Sequence, residues 1–114
     1  MLQYNGLYIS SVEDVFGGSI SYSHLRFYED GLVMQVTTSG NPHEVSKWFH
    51  RDSPNQLKGF FEISGPRRDT IFCRFEHVHY LGVIKDDRLI LHTSNSNEWQ
   101  IDEDEIEEFK FVAI

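Results

Sequence analysis

The segment 25–36, which reads LRFYEDGLVMQV, constrains the fold more than any other part of the sequence. Apolar and polar residues alternate on both sides of Asp30-Gly31, and an Asp-Gly pair between such runs is typical of a two-residue type I′ turn. This turn would place Phe27 opposite Met34, so that the apolar residues share one face. The segment therefore predicts a β-hairpin with one buried face.

Aromatic residues are frequent and lie within short alternating runs. The 114-residue chain contains nine Phe, five Tyr and two Trp, which make up 14% of the sequence. Aromatic side chains favour strands and bury large areas, so we expect a mainly β protein with a substantial core. The length predicts a single domain over residues 1–114.

Eight runs have the alternation and the flanking turn residues of short strands. Their predicted bounds are residues 4–10, 22–29, 32–38, 58–64, 70–75, 78–84, 88–94 and 106–112. No turn residue separates 70–75 from 78–84, so these two runs are a tight hairpin or one bent strand, and the strand count is seven or eight. Successive hairpins predict an antiparallel up-and-down barrel, with a sandwich as the alternative. Closure is favoured because no strand carries the Pro or inward charge that blunts an exposed edge.

Two connections between these runs carry further predictions. The pair of aspartates at 86–87 predicts a turn that places His79 opposite Ser94. The segment 11–21 contains a Gly-Gly pair and has mixed polarity, so it is expected to be a long loop.

Residues 42–50 are predicted to form one short helix. Asn41 is suited to cap it, and the Pro that follows suits the first helical turn. Val45, Trp48 and Phe49 follow at helical spacing and form one apolar stripe. We expect this stripe to cover one end of the barrel as a plug.

Both ends of the sequence carry a short motif, Asn-Gly-Leu-Tyr at residues 5–8 and Phe-Lys-Phe at residues 109–111. The two resemble motifs of the calycin superfamily, the lipocalins and their smaller relatives. The first is similar to the Gly-x-Trp that begins the first lipocalin strand, and the second to the last strand, where the family places a basic residue beside that Trp. Tyr8 replaces the Trp, and Lys110 replaces the usual Arg. The resemblance implies a small lipocalin-like barrel.

A second resemblance covers residues 22–45. The pattern YSHLRFYEDG, followed by TT and then NPHEV, is similar to a stretch in the lipocalin-like C-terminal domain of certain F-box adaptor proteins. No F-box helices precede the stretch. The resemblance therefore implies the fold and not a ubiquitin-ligase function.

Charge and hydropathy argue against several classes of partner. A formal charge of −8 argues against nucleic acid, because binding to phosphates depends on clustered Lys and Arg. No run approaches the roughly 20 apolar residues of a membrane-spanning helix, and no secretory leader is recognisable. Cys73 is the single cysteine, which excludes an internal disulfide and favours a reduced, cytoplasmic compartment.

The polar segment 95–105 is the predicted contact site for a protein partner. Six acidic residues lie between Asp102 and Glu108. This run is either a solvated loop that maintains solubility or a docking site for a basic partner. Trp99 either contributes to that contact or folds beneath the loop.

No catalytic residue, metal site or cofactor is predicted, and the chain is expected not to be an enzyme. His77 and His79 share one strand face and could begin a zinc site, but no third ligand is evident, so ordinary sheet histidines are the alternative. Cys73 is expected to be a small buried hydrophobe rather than a reactive thiol. No nucleophile motif or carboxylate pair stands out.

The residues expected to face the barrel interior are aromatic or aliphatic. They are Tyr8, Leu25, Phe27, Met34, Val36, Trp48, Phe61, Ile63, Phe109 and Phe111. This set either lines a ligand cavity or interlocks as a filled core. Arg26 or Lys110 is expected to bind the charged group of a ligand or, alternatively, to make a surface ion pair.

Two functions follow from these expectations. The first is a non-enzymatic binding module, a small calycin-like barrel that holds a small hydrophobic or amphipathic ligand, with the segment 11–21 as a movable gate. The alternative is a protein-interaction or structural domain with a filled core, whose segment 95–105 forms an acidic contact loop.

Overall fold

The computed structural model describes residues 2–13, 20–39, 41–52, 57–76, 78–94 and 106–114. The elements are β1 (Gly6–Glu13), β2 (Ile20–Phe27), β3 (Leu32–Thr38), α1 (Pro42–Ser46), β4 (Leu57–Ser64), β5 (Thr70–Arg74), β6 (His79–Lys85), β7 (Arg88–Ser94) and β8 (Ile106–Ala113). Each strand pairs antiparallel with the next, and β8 pairs with β1, so the sheet closes into a barrel. The predicted mainly β, up-and-down barrel is confirmed, with eight strands.

The junction between β5 and β6 is a tight hairpin rather than a bend in one strand. The N–H of Phe75 donates a hydrogen bond to the carbonyl of Val78 across it. The next turn, at 86–87, also has the predicted register, because His79 lies opposite Ser94. Its first residue, Asp86, has a φ of 49°, in the left-handed region that Asp tolerates better than most residues.

The β2–β3 hairpin has a three-residue loop, 29–31, where a two-residue turn was predicted. The N–H of Gly31 donates to the carbonyl of Tyr28, and the N–H of Tyr28 donates to the carbonyl of Leu32. Gly31 has a φ of 98°. This geometry is a type I turn followed by a left-handed residue, the common form of three-residue hairpin loops.

The longer loop shifts the strand register by one residue. Phe27 lies opposite Val33, so the predicted pairing of Phe27 with Met34 is wrong. A shift of one residue moves a side chain to the other face of a strand. Met34 and Val36 therefore lie on the outer face of β3, and their predicted place in the barrel interior is wrong.

The predicted loop 11–21 is partly strand, because β1 and β2 extend into it from both sides. Ser10 and Ser23, which lie in the predicted strands on either side of this segment, are opposite each other and buried. The inward-facing side chains at this end of the two strands are therefore polar, so the alternation of apolar residues does not mark where the strands end. Of the predicted gate 11–21, residues 11–13 and 20–21 are strand, and residues 14–19 lie outside the described residues.

Helix α1 is shorter than the predicted helix 42–50. The Asn41 side chain caps it as expected, accepting a hydrogen bond of 2.9 Å from the N–H of Glu44. The helix ends after five residues and a turn follows, which directs Trp48 away from the apolar stripe. Trp48 is 41% exposed, so its predicted burial is wrong.

The helix packs on the outer wall of the barrel and does not plug an end. Val45, and Phe49 in the turn that follows, contact Leu7 of β1 and Met34 of β3. The Arg26 guanidinium fixes this segment by donating a 2.8 Å hydrogen bond to the carbonyl of Phe49. The outer faces of β1 and β3 are apolar, and covering them is the reason the helix lies there.

His24 is fully buried on this covered wall. It lies between Ile9 and Val36 on the neighbouring strands. Neither ring nitrogen makes a well-formed hydrogen bond within the described part of the chain. Burial lowers the pKa of His24, and backbone groups of Tyr22 and Val36 oppose that shift only in part. The neutral imidazole is therefore the form compatible with the fold.

The register predicts which core residues are energetically coupled. The ring centroids of Phe27 and Phe61 are 5.1 Å apart in an edge-to-face contact, whereas Phe27 and Met34 lie on opposite faces. In double-mutant cycles by urea denaturation, Phe27→Leu with Phe61→Leu should show a coupling of about 0.5–1.5 kcal/mol. Phe27→Leu with Met34→Ala should be additive within about 0.5 kcal/mol. The opposite ranking would contradict the three-residue loop.

The burial of His24 predicts a loss of stability in mild acid. Its pKa is lowered in the folded state, so the unfolded chain binds the proton more readily once the pH falls below about 6.5. The free energy of unfolding should then decrease by at most about 1.4 kcal/mol per pH unit. His24→Leu should abolish this component while retaining the other acid-dependent terms. Urea denaturation of the wild-type protein and of His24→Leu, each at several pH values from about 7.5 to about 5, measures the difference in this pH dependence. Parallel plots of the free energy of unfolding against pH would refute the assignment to His24.

Candidate functional site

The barrel interior is apolar toward the end that carries the turns 28–31, 65–69 and 86–87, here called the turn end. Aromatic rings meet near this end. The rings of Tyr8 and Phe27 are 5.5 Å apart, edge to face, with their neighbours also buried. These contacts form a packed layer across the barrel.

A pocket of about 410 Å³ lies at the turn end, outside that layer. It is lined by the apolar residues Leu2, Tyr4, Ile63 and Ile84 and by the charged residues Arg67, Arg68 and Asp69. The Tyr4 ring lies 6.5 Å from the Phe61 ring, which joins the pocket to the aromatic layer. The volume is in the range of small-molecule sites.

The β4–β5 turn positions the charged side of this pocket. Gly65 and Arg68 have φ values of 90° and 54°, and the N–H of Arg68 donates to the Gly65 carbonyl at 3.1 Å. The Asp69 carbonyl accepts a 2.7 Å hydrogen bond from the N–H of Ile84, which holds the turn against β6. Arg67 and Arg68 are exposed and form no ion pair with another described residue, so the lining carries two positive charges and one negative charge.

A second, more open groove of about 600 Å³ lies on the outer wall beside the start of α1. Its lining residues are Ile9, Tyr22, Ser39, Asn41, Pro42, Lys110 and Val112. Lys110 is exposed and is the single charged residue of that lining. The groove therefore has an apolar floor with one cation.

The other end of the barrel interior is polar. The Gln35 side chain reaches across the interior from β3 to the Tyr80 hydroxyl on β6, with nitrogen and oxygen 3.4 Å apart, and also lies 3.3 Å from the Ser23 hydroxyl. Burial raises the pKa of Glu107, and a hydrogen bond from Ser10 counteracts part of the shift. Polar side chains therefore lie across the interior at this end.

The structure separates the ten residues predicted to line a ligand site. Those that lie in or against the interior core are Tyr8, Leu25, Phe27, Phe61, Ile63, Phe109 and Phe111. Met34 and Val36 belong instead to the outer cluster beneath α1, and Trp48 is exposed in the turn after that helix. Of the ten, Ile63 alone lines the turn-end pocket. Whether any of them contacts a ligand stays a prediction.

The two predicted charge partners also lie on the outer wall. The Arg26 guanidinium binds the Phe49 carbonyl and therefore has a structural role. Lys110 lines the outer groove. Sequence reasoning did not single out Arg67 and Arg68, although two adjacent arginines inside a Gly-Pro turn were the available signal.

His79 lies on the outer wall, where its ring is 5.6 Å from the Phe72 ring. His77, the other predicted member of a zinc site, lies outside the described residues. No group of three His, Cys, Asp or Glu residues suited to a metal occurs in the described ranges. The predicted partner segment 95–105, which includes Trp99, also lies outside the described residues.

Comparisons with known proteins give one partial relative. The chain is 36% identical over 67 residues to BEACH domain-containing protein A2 of Arabidopsis thaliana, a match that covers 49% of this chain and 2% of that protein. No family model matches, and no solved structure matches. The eight-stranded barrel is compatible with a calycin-like fold. No described helix has the length and apolar composition needed to cross a bilayer.

The position of Cys73 predicts an unreactive thiol. It is buried inside β5, and burial raises the pKa of the thiol from 9.0 to about 12. Because the thiolate is the nucleophile and the side chain is fully buried, native labelling should be slower than that of a free cysteine by about two orders of magnitude or more. A colorimetric disulfide reagent should label one thiol per chain in urea and almost none in the native protein. Native labelling at the rate of a free cysteine would contradict the burial.

Proposed function

We propose that this chain is a non-enzymatic binding module that holds a small amphipathic molecule with an anionic head in the turn-end pocket. The observation that carries the proposal is the composition of that pocket. Two arginines without ion-pair partners among the described residues lie beside an apolar floor. An apolar cleft with a few charged groups is the usual form of a small-molecule site.

The apolar floor supports a ligand with a hydrocarbon part. Leu2 and Ile84 are nearly fully buried, and Tyr4 and Ile63 are partly buried against the same core. A hydrocarbon chain placed here would remove further apolar surface from water, at about 25 cal/mol per Å². The packed layer of Tyr8, Phe27 and Phe61 limits how deeply such a chain can enter.

The charged side of the pocket supports an anionic head group. A guanidinium binds carboxylate or phosphate with two parallel hydrogen bonds, which is stronger and more specific than a single bond. Asp69 opposes an anion, because its carboxylate belongs to the same lining. The remaining net charge of the lining is +1, which favours a singly charged head.

The calycin resemblance is consistent with this role, since eight-stranded barrels are of the size that holds one small ligand. The proposed site differs from a typical barrel-interior site because the ligand would lie at the turn end, outside the packed aromatic layer. A cytoplasmic location is part of the proposal and is supported by the single, buried cysteine.

Three ligands that share one hydrocarbon chain test the proposal: decanoate, decanol and decylamine. By isothermal titration calorimetry, decanoate should bind, and decylamine should bind at least about tenfold more weakly because its charge is repelled by the arginines. Arg67→Ala combined with Arg68→Ala should weaken decanoate about tenfold while leaving decanol nearly unchanged. Arg74→Ala removes an exposed guanidinium outside the pocket and is the matched control.

Two outcomes would overturn this assignment. Equal affinity for decanoate and decylamine would show that the arginines do not select the head group. Loss of decanoate binding in Lys110→Ala, but not in the double arginine variant, would move the site to the outer groove. Circular dichroism of each variant verifies that the barrel is retained.

A further inference from the structure

The barrel interior changes from apolar to polar toward the end opposite the turn end, here called the polar end. Several strands each place one polar side chain on the inner face there. They are Ser10 of β1, Ser23 of β2, Gln35 of β3, Tyr80 of β6 and Glu107 of β8. These five residues are called the inner polar cluster below.

Hydrogen bonds connect the inner polar cluster across the barrel. The Gln35 side-chain nitrogen lies 3.3 Å from the Ser23 hydroxyl and 3.4 Å from the Tyr80 hydroxyl. Ser10 lies directly opposite Ser23 and donates a hydrogen bond to the Glu107 carboxylate. The cluster is therefore one group of a carboxylate, hydroxyls and an amide, drawn from separate strands by the closure of the sheet.

The floor beneath the inner polar cluster is apolar. The next inward-facing residues toward the middle of β1, β2, β3 and β8 are all buried, and they are Tyr8, Leu25, Val33 and Phe109. A floor of this kind lowers the local dielectric constant, which strengthens electrostatic contacts made above it. Gln35, Tyr80 and Glu107 are partly exposed, so solvent reaches the cluster from the polar end.

Glu107 is a partly buried carboxylate without a cationic partner. It forms no ion pair with any described residue, and burial raises its pKa. The strands do carry cations at this end, but these lie on the outer wall. There Lys58 donates to the Arg51 carbonyl, and Arg74 lies over the Phe72 ring with 5.5 Å between the guanidinium carbon and the ring centroid. The negative charge of Glu107 is therefore left uncompensated inside the described barrel.

The neighbouring carboxylate shows the contrast between the two faces of β8. Glu108 points outward and pairs with Arg88 at 3.1 Å. The sequence directly before β8, residues 102–105, is wholly acidic, and the chain has a formal charge of −8. These charges add to the negative potential at the polar end, so a small cation would be attracted there from a distance.

We propose that the inner polar cluster binds a compact organic ammonium compound, whose –NH3⁺ group donates to the Glu107 carboxylate and to the hydroxyl oxygens of Tyr80 and Ser10. A primary ammonium has three N–H donors and no acceptor, which suits a site made of one carboxylate and neighbouring oxygens. A calcium ion fits less well, because it takes about six to eight oxygen ligands and this cluster offers one carboxylate. The site lies at the opposite end of the barrel from the turn-end pocket and does not depend on it.

Three small probes separate charge from hydrogen bonding: butylammonium, butanol and tetramethylammonium. In NMR titrations at neutral pH and constant ionic strength, millimolar butylammonium should shift the backbone amide signals of Ser10, Tyr80 and Glu107. Butanol, which lacks the charge, should bind at least about tenfold more weakly. Tetramethylammonium has the charge but no N–H donor, and it should also bind at least about tenfold more weakly.

Matched variants locate the ammonium group. Glu107→Gln should weaken butylammonium about tenfold, whereas Glu108→Gln, which removes the adjacent outward carboxylate, should leave it unchanged. Tyr80→Phe keeps the ring that packs edge to face on Phe75, with 5.9 Å between centroids, and should weaken butylammonium about threefold. Circular dichroism verifies that each variant retains the barrel, and the two substitutions inside the cluster test the site independently.

The two proposed sites succeed or fail separately. Glu107→Gln should leave the affinity for decanoate unchanged. The variant with Arg67→Ala and Arg68→Ala should leave the affinity for butylammonium unchanged. Parallel loss of both ligands in either variant would show that the two ends of the barrel are not independent sites.

Four results would overturn the ammonium site. Equal weakening by Glu107→Gln and Glu108→Gln, or equal affinity for tetramethylammonium, would show a general attraction of cations to the acidic chain. Loss of butylammonium binding when residues 102–105 are replaced by amides, but not in Glu107→Gln, would move the site to that segment. Calcium that shifts the same amide signals while butylammonium does not would identify a metal site.

Discussion

Pairing between β1 and β8 closes the barrel and so determines where this protein can bind other molecules. Tyr8 lies opposite both Leu25 and Phe111, so one residue joins the first, second and last strands. Once the sheet is closed, every described strand has a neighbour on each side. Alternate side chains must then face the interior or the outer wall. Binding surfaces are therefore restricted to the barrel ends, the outer wall and the connecting segments.

The sequence pattern predicts the barrel correctly, and it predicts one of two hairpin registers correctly. At 86–87 the flanking strands specify a two-residue turn, and the predicted pairing is found. At 25–36 the pattern misleads, because Asp-Gly suits both two-residue and three-residue loops. Val33 and Met34 are both buried, one inside the barrel and one beneath α1, so β3 is apolar on both faces. A two-faced apolar strand does not specify its own register.

The turn-end pocket was harder to predict than the barrel, because its lining does not follow from local sequence patterns. Interior aromatics such as Tyr8 and Phe109 follow from strand alternation, which is local information. The turn-end pocket instead combines Tyr4, before the first strand, with Ile84 and with arginines of a turn. These residues are far apart in sequence and become neighbours only through the barrel topology. Ser10 and Ser23 lie in predicted strands, but their inward orientation was not predicted, because the expected interior was wholly apolar.

The distribution of charge distinguishes the turn-end pocket from the chain as a whole. A chain of net charge −8 repels other anions at a distance, so an anion-binding surface must provide local positive potential. The exposed Arg67 and Arg68 provide it at the pocket, where they lie beside the apolar residues Leu2 and Ile84. Cations that border apolar surface suit an anionic group attached to a hydrophobic body. The ligand proposed for this pocket therefore matches the local charge of the pocket and not the charge of the whole chain.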